Sequence, residues 1–256
     1  MQTKAATQRV VQIFREIGEF SDLSLRAVAG IFSRPYYYRE FSAQLDKIGV
    51  GSLFIILLTG LFTGMVMALQ ALLQLKPFAA TSYVGGMVGA VMVKELGPVL
   101  SALMVTGRVG SAITAELGTM VVTEQVDAMR VEGTDIVKRL VVSRLKAIMI
   151  SLPLLAVVTD AVALFGGFIM AAGYHVNHVM YMKSIPQFMV FQDLIEGVAK
   201  PAFFGMIIAL IGCHVGLGTR GGAAGVGGSA KRAVVLSSVL ILVSDFFLTK
   251  AFIAFR

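Results

Sequence analysis

Hydrophobic positions along the chain form five runs, at residues 48–73, 83–106, 147–172, 198–219 and 233–254. A helix needs about 20 predominantly apolar residues to cross the hydrocarbon core of a bilayer, and each run reaches that length. The pattern therefore predicts an all-α integral membrane protein with about five transmembrane helices. An even number of crossings would instead place both chain ends on the same side of the membrane.

The segment before the first run, residues 1–47, has a different pattern. Apolar residues recur at helical spacing from Val10 to Ile31, among charged residues such as Arg15, Glu16 and Asp22. This spacing predicts an amphipathic helix that lies in the cytoplasmic membrane interface. A soluble amphipathic helix packed on a partner protein is the alternative. We therefore divide the chain into an interfacial segment, 1–47, and a transmembrane domain, 48–256.

Basic residues are distributed unevenly between the connections. The N-terminal segment and the connections 107–146 and 217–232 are rich in Lys and Arg, whereas the other two connections carry little more than Lys76 and Lys183. The positive-inside rule places the basic segments, and with them the N-terminus, in the cytoplasm. A composition of 57% hydrophobic and 14% charged residues, with a mean hydropathy of +0.83, excludes an ordinary soluble protein. A chain of 256 residues leaves no room for a separate soluble domain.

Residue types that support enzymatic chemistry are sparse. The single cysteine, Cys213, lies in an apolar run and the three histidines have no third ligand nearby, so we expect no metal site and no catalytic residues. Gly216, Gly218 and Gly221 match G-x-G-x-x-G but follow an apolar helix, which argues against a dinucleotide site. No P-loop motif occurs, so we expect this chain to bind no cofactor, and any ATP would be bound by a partner. We expect no nucleic-acid partner.

Several ionisable residues lie in or beside the apolar runs: Lys94, Glu95, Asp160, Lys200 and Asp245, together with Asp193 and Glu196 near the start of the fourth run. A charged side chain in hydrocarbon costs at least about 2.5–3.5 kcal/mol, so such residues are expected to face a cavity or one another. One interpretation is a polar pathway for an amphiphile that has an ionic head group and acyl chains. The other interpretation is a set of ion pairs that only hold helices together.

Small residues mark places where the predicted helices approach each other closely. Gly60 and Gly64 form a G-x-x-x-G step in the first run, and Gly85 and Gly89 form another in the second. This spacing lets two helix backbones come into contact, so we interpret both steps as tight packing.

The connection 107–146 contains a segment with mixed polarity. Between residues 115 and 130, apolar positions alternate with Glu116, Glu124 and Asp127, which predicts a short cytoplasmic helix rather than a flexible linker. A helix with such mixed faces requires a protein partner. A solvated loop helix without a partner is the alternative.

The segment KELGPVLSALMVTGRVGSAITAELGTMVVTEQVDAM, residues 94–129, resembles the signature of MlaE (YrbE-type) permeases. These are the membrane subunits of the MCE-associated ABC transporters, and the similarity covers nearly the whole chain, including DFFLT at 245–249. The resemblance implies a homodimer of five-span permeases in the bacterial inner membrane, with two copies of a separate ATPase subunit that binds ATP. It also implies a hexameric MCE-domain protein outside and, in many members, a small STAS-domain protein on the ATPase.

The cargo implied by the resemblance is glycerophospholipid. The family moves it between the inner and outer membrane to maintain outer-membrane lipid asymmetry, and the resemblance favours retrograde movement, toward the inner membrane. Lys94, Glu95, Lys200 and Asp245 match positions that the family uses as charges within the membrane.

The same resemblance assigns the helix at 115–130 as the coupling helix, which is seated in the ATPase. The coupling residues implied are Arg108, Glu116, Glu124 and Asp127. Val121 departs from the family pattern, in which a basic residue is common at this position.

For the transport pathway we hypothesise an outward-open cavity at the axis of the dimer. Met67, Leu75 and Phe78 would line its upper part against acyl chains, and the charged residues deeper in the membrane would hold or gate the head group. A competing hypothesis is a proton-coupled secondary transporter or scramblase without an ATPase, in which Glu95, Asp160 and Asp245 relay protons. A passive membrane anchor for soluble proteins is a third.

Overall fold

The apolar runs of the sequence fold as long helices. The computed structural model describes residues 2–34 and 37–254, and no β-strand occurs among them. Within these residues five helical spans are long and apolar enough to cross a membrane: Tyr38–Phe78, Thr81–Val122, Val137–Gly173, Phe191–Leu217 and Gly222–Ala254, numbered here as spans 1 to 5. The predicted all-α class and the count of five spans are confirmed.

The spans extend beyond the predicted apolar windows. Span 1 begins at Tyr38 rather than near residue 48, and span 2 continues to Val122 rather than ending near residue 106. Hydropathy marks only the section that lies in hydrocarbon, whereas helical hydrogen bonding continues into the polar ends. The connection is therefore much shorter in the structure than the predicted 107–146. Span 2 continues to Val122 and span 3 begins at Val137, so only the residues between these two positions connect the spans.

Span 2 is divided into short helices, whereas span 1 is one long helix. The first helices of the chain are α1 (Gln2–Gly30), α2 (Tyr38–Leu75), α3 (Val84–Val91), α4 (Gly97–Val105) and α5 (Ser111–Val122). In span 2, π-helical turns at Met92–Leu96 and Thr106–Gly110 separate α3, α4 and α5. Pro98 in the first turn of α4 has no N–H to donate, which favours the wider turn before it. Each wide turn adds a residue and so rotates the following helix face.

The segment predicted as one helix at 115–130 is two helices in the structure. Helix α5 ends at Val122, and α6 covers Gln125–Val131. Between them Glu124 adopts a φ of 59°, in the left-handed region that residues other than glycine seldom occupy. The break arises because the chain must reverse its direction between spans 2 and 3, and the mixed pattern of the sequence carries no glycine or proline that signals this turn.

Helix α9 lies at the centre of the remaining spans. The later helices are α7 (Ser143–Gly173), α8 (His178–Ser184), α9 (Phe191–Leu217) and α10 (Gly222–Ala254), and a third π-helical turn at Val137–Val142 precedes α7. Helix α9 packs against α5, α7 and α10. Because α9 contacts spans 2, 3 and 5, a polar side chain on it can reach residues of several spans.

Helices α2 and α7 pack backbone against backbone. A Cβ added at Gly60 would lie 2.8 Å from the carbonyl oxygen of Thr159, and one added at Gly64 would overlap the carbonyl of Ala163. On the opposite side of the contact, a Cβ at Gly166 would overlap the carbonyl of Leu61. The G-x-x-x-G step of span 1 is thus the place where two helices come into direct contact.

Helix α1 lies against the start of span 3. It packs on the Val137–Val142 turn and on α9, while Phe14, Ile17 and Leu25 keep more than half of their surface exposed. One face of α1 is therefore apolar and uncovered within the described part of the chain, as an amphipathic helix at a membrane surface requires.

Candidate functional site

A buried ammonium group joins spans 2, 4 and 5. The Nζ atom of Lys200 donates to Glu95 Oε2 at 2.9 Å, to Thr249 Oγ1 at 2.8 Å and to the main-chain oxygen of Lys94 at 2.9 Å. The carboxylate of Asp245 lies 3.5 Å away, as an ion-pair contact. The side chain of Lys200 is 0% exposed, and that of Glu95 is 38% exposed. We refer to Lys200, Glu95, Asp245 and Thr249 as the lysine cluster.

The local sequence explains how the lysine cluster forms. The π-helical turn at Met92–Leu96 carries Glu95 toward α9, and Gly197 lets α9 approach so closely that a Cβ there would lie 2.8 Å from the Val93 carbonyl oxygen. Pro201 follows Lys200 within α9 and donates no main-chain hydrogen bond. Thr249 lies one helical turn after Asp245 on α10, so both side chains point to the same face.

Lys94, the neighbour of Glu95, pairs with a different residue. Its Nζ lies 3.0 Å from Asp193 Oδ2, and the Asp193 side chain is 0% exposed. The same carboxylate accepts a hydrogen bond from the Val190 N–H at 2.9 Å, at the start of α9. Around α9, the three carboxylates of Glu95, Asp193 and Asp245 therefore face two ammonium groups. Three of the four predicted pathway charges, Glu95, Lys200 and Asp245, meet in the lysine cluster, whereas the fourth, Lys94, pairs with the buried Asp193 on α9.

Asp160 is buried but does not join the lysine cluster. Its carboxylate lies against Gly97, where an added Cβ would overlap it, and its Oδ1 atom has no hydrogen-bond partner among the described residues. Glu95 and Asp245, the other carboxylates of the proton-relay hypothesis, both contact Lys200, whereas Asp160 lies beside Gly97, two residues after Glu95.

A second polar cluster joins spans 1, 2 and 3. Glu116 on α5 accepts from Arg144 at 2.9 Å through Oε1 and from Lys47 at 2.9 Å through Oε2. The side chain of Arg144 is 4% exposed and also donates to the Leu140 carbonyl oxygen at 2.8 Å. Arg108, one of the predicted coupling residues, donates instead to Ser52 Oγ at 3.0 Å. Glu116 and Arg108 thus both tie span 2 to span 1, through separate contacts.

Glu124 and Asp127, the other predicted coupling residues, lie on the exposed surface around α6. Asp127 Oδ1 accepts from Arg130 at 2.9 Å, and the side chains of this pair remain 64% and 67% exposed. Glu124, at the break before α6, is also exposed. The four predicted coupling residues are therefore divided between contacts within the bundle and a surface open to a partner.

The predicted acyl-chain residues do not all lie together. Met67 and Leu75 are half-buried against an apolar cluster that α2 forms with α3, α7 and α8, whereas Phe78 is 79% exposed. Tyr181 lies in this cluster and donates to the Leu164 carbonyl oxygen at 3.0 Å. Burial raises the pKa of Tyr181 to about 12, so its hydroxyl stays protonated as the donor.

Comparison with known proteins identifies the family. Residues 41–251 match the sequence model of a family described as Permease MlaE. The chain belongs to the MlaE permease family. It is thus a membrane subunit of an ABC transporter and not itself an enzyme. The buried charges around α9 and the exposed helix α6 are therefore features of an MlaE-family permease.

Bacterial relatives of this MlaE-family chain match it over nearly their whole length, and a chloroplast relative matches it over two thirds of its own length. A probable ABC transporter permease protein of Rickettsia bellii is 39% identical over 96% of this chain and 95% of its own length. The intermembrane phospholipid transport system permease protein MlaE of Haemophilus influenzae is 33% identical over 96% and 95%. The chloroplastic protein TRIGALACTOSYLDIACYLGLYCEROL 1 of Arabidopsis thaliana is 35% identical, over 90% of this chain and 67% of its own.

Sequence reasoning did not find Thr249 and Arg144. The spacing of Thr249 four residues after Asp245 places both on one helix face and was available as a signal. Arg144 looked like one more basic residue near a span end, and nothing in the sequence distinguishes it from its neighbours. Its role depends on a contact with Glu116 across two spans.

Replacing Glu116 with glutamine in this MlaE permease is expected to destabilise the fold by about 1–3 kcal/mol, because the nearly buried Arg144 loses its anionic partner. The measurement is the thermal unfolding midpoint of the purified permease in detergent. Glu132→Gln is the matched control, since Glu132 is exposed just after α6. Equal midpoints for the two variants would show that the Glu116 contacts carry no stability.

Proposed function

We propose that this chain is the permease of an ABC transporter that moves glycerophospholipids between the inner and outer membrane and so maintains outer-membrane lipid asymmetry. The observation that carries the proposal is the lysine cluster: Lys200 is fully buried in an apolar bundle, while Glu95 beside it keeps a partly exposed side chain. A buried cation beside a partly exposed carboxylate, within an apolar bundle, suits an amphiphile that has an ionic head group and acyl chains. The name of the Haemophilus influenzae relative, an intermembrane phospholipid transport system permease protein, supports phospholipid as the cargo.

The proposed mechanism exchanges ion pairs within the protein for contacts with the head group. A phospholipid phosphate would compete with Glu95 and Asp245 for the Lys200 ammonium, whereas Met67, Leu75 and Phe78 would contact the acyl chains. ATP bound by the partner ATPase would bring the two permeases from one arrangement to another, and lipid would move because the two arrangements bind it differently. We propose retrograde transport, toward the inner membrane.

The proposed assembly contains two copies of this permease, two ATPase subunits, a hexameric MCE-domain protein and, on the ATPase, a STAS-domain protein. On α10, the side chains of Leu242, Phe246 and Phe247 are more than half exposed. This apolar surface is available for contact with the second permease copy within the membrane. The ATPase would bind the surface around α6, where Glu124 and Asp127 are exposed. This surface and the N-terminus would lie in the cytoplasm, as the basic connections favour, and the assembly would lie in the inner membrane.

Transport by the reconstituted complex tests the proposed function. The permease is co-purified with its partners, placed in liposomes, and assayed for ATP-dependent transfer of fluorescent phospholipid. Loss of lipid from the MCE-domain protein would support retrograde transport, and gain of lipid by that protein would contradict the direction. Transfer that persists without the ATPase and follows a pH gradient would instead favour the proton-coupled alternative.

Reversing the charge at Asp127 is expected to weaken the contact with the ATPase. Asp127→Lys places a cation on the exposed face of α6, and we expect roughly tenfold weaker binding of the ATPase with a matching loss of ATP hydrolysis. The measurement is the amount of ATPase retained by the purified permease. Lys183→Glu, a charge reversal on α8 at the opposite end of the bundle, is the control and should retain the ATPase. Equal retention by both variants would exclude α6 as the contact.

A further inference from the structure

A cavity lies where α1, α2 and the start of span 3 meet. Its volume is about 390 Å³, and apolar side chains including Ile31, Phe41, Val142 and Met149 form most of its wall. Gly30 lets the end of α1 approach span 3, since a Cβ there would lie 2.9 Å from Val142 Cγ2. The volume falls within the range of small-molecule and lipid sites. None of its lining residues belongs to the lysine cluster.

The polar part of this cavity is cationic. Lys138 and Lys146 line it, and no carboxylate is among its described lining residues. Lys138 Nζ donates to the main-chain oxygen of Arg34 at 3.0 Å, which holds the ammonium at the cavity wall without neutralising it. Lys138 Nζ also lies 4.0 Å from Asp135 Oδ2, and the Asp135 side chain is 49% exposed. Two lysine side chains therefore line the cavity beside an apolar wall.

The edge of the cavity adds a further cation and an aromatic ring. The Arg139 guanidinium lies 5.9 Å from the centre of the Tyr37 ring, and Tyr37 lines the cavity. Arg139 also pairs with Glu40 at 3.2 Å, so its charge is balanced there. A tyrosine ring beside basic residues is typical of the head-group level of a membrane.

We infer that this cavity binds an anionic phospholipid of the surrounding bilayer. The phosphate of the head group lies between Lys138 and Lys146, and an acyl chain lies along Phe41, Val142 and Met149. Basic pockets beside membrane helices on the cytoplasmic side favour anionic head groups, and the apolar wall distinguishes a lipid from a free anion. The site is separate from the proposed transport pathway, because the pathway charges lie around α9 and none of them lines this cavity.

A lipid bound there contacts three parts of the chain at once. It touches the end of α1, the start of α2 and the first turns of span 3. Arg144, which holds Glu116, lies on the same α7 turn as Lys146. The bound lipid would thus stabilise the end of α1 against α2 and the first turns of span 3.

Lipid titration of the purified permease tests the site without any partner subunit or transport assay, so its outcome is independent of the proposed function. The permease in detergent is titrated with phosphatidylglycerol, phosphatidylcholine or inorganic phosphate, and bound lipid is measured by native mass spectrometry together with the thermal midpoint. We expect phosphatidylglycerol to bind and stabilise. We expect phosphatidylcholine to bind more weakly, and phosphate alone to have no effect.

Two kinds of variant test separately how the lysine charges and the apolar wall contribute to lipid binding. Lys138→Gln/Lys146→Gln is expected to weaken phosphatidylglycerol binding roughly 30-fold, because each of the two lysines loses its attraction to the anionic head group. Met149→Trp places a larger side chain in the apolar part of the cavity and is expected to reduce lipid binding although both lysines remain. The control Lys76→Gln/Lys183→Gln removes the same charge from the opposite connections and should bind as the unmodified chain does. Unchanged binding in both site variants, or equal stabilisation by inorganic phosphate, would overturn the inference.

Discussion

Replacing Lys200 with methionine is expected to abolish phospholipid transport and to destabilise the permease by about 3–5 kcal/mol. Methionine has a similar length but no donor, so Glu95 and Asp245 would face each other in an apolar bundle without the cation between them. The main-chain oxygen of Lys94 and the hydroxyl of Thr249 would lose a donor as well. The measurements are the thermal midpoint in detergent and ATP-dependent lipid transfer in liposomes. Lys250→Met, at an exposed position on α10, is the matched control.

A triple variant separates the structural role of these charges from their role in transport. Lys200→Met/Glu95→Gln/Asp245→Asn removes the cation and both carboxylates, so no charge is left unpaired in this cluster. We expect most of the lost stability to return, because neutral replacements of a complete buried ion pair are often tolerated. Transport should remain lost. If transport returned together with stability, the charges would only hold the helices together, and the head-group pathway would be excluded.

Introducing a methyl group at Gly64 is the second change with a large expected effect. In Gly64→Ala the new Cβ would overlap the main-chain carbonyl of Ala163 on α7, and no side-chain rotation relieves a contact with backbone. Overpacking typically costs about 1–3 kcal/mol and more where the backbone must move. We expect Gly60→Ala to cost less, since its Cβ would lie 2.8 Å from the Thr159 oxygen. The yield of folded permease and its thermal midpoint measure both effects.

Gly107→Ala serves as the control for the Gly64 substitution. A Cβ added at Gly107, within span 2, would have no heavy atom of another helix, or of a side chain beyond its two chain neighbours, within 4 Å. Alanine also favours a helix over glycine by about 1 kcal/mol, so this variant should be as stable as the parent chain or slightly more stable. If Gly64→Ala matched Gly107→Ala, the close packing of α2 on α7 would not limit stability.

Hydropathy was sufficient to predict the fold class and the number of spans. Both depend on the cost of placing polar groups in hydrocarbon, which acts on each segment separately. The G-x-x-x-G step in span 1 also indicated close packing, and the structure places Gly60 and Gly64 against α7. Features of this kind can be read from sequence because they depend on one segment at a time.

Pairing between distant segments could not be derived in the same way. The sequence indicated that Lys94, Glu95, Lys200 and Asp245 need partners, but not that Lys200 holds Glu95 while Lys94 holds Asp193. Which partner each residue finds depends on the rotation of every helix, and the π-helical turns of span 2 alter that rotation. Pro98 accompanies the turn at Met92–Leu96, but no proline accompanies the turn at Thr106–Gly110, so the sequence alone does not locate both turns.

The glycine contact between α2 and α7 has a consequence for how the protein moves. Two helices whose backbones touch have few flexible side chains between them, so they behave as one rigid body. Span 2 is different, since the turns at Met92–Leu96 and Thr106–Gly110 divide it into three short rods. A displacement applied at the end of α5 would therefore bend span 2 at these two turns, and the first turn carries Glu95. Bending there would change the distance between Glu95 and Lys200, whereas α2 and α7 would remain a fixed frame.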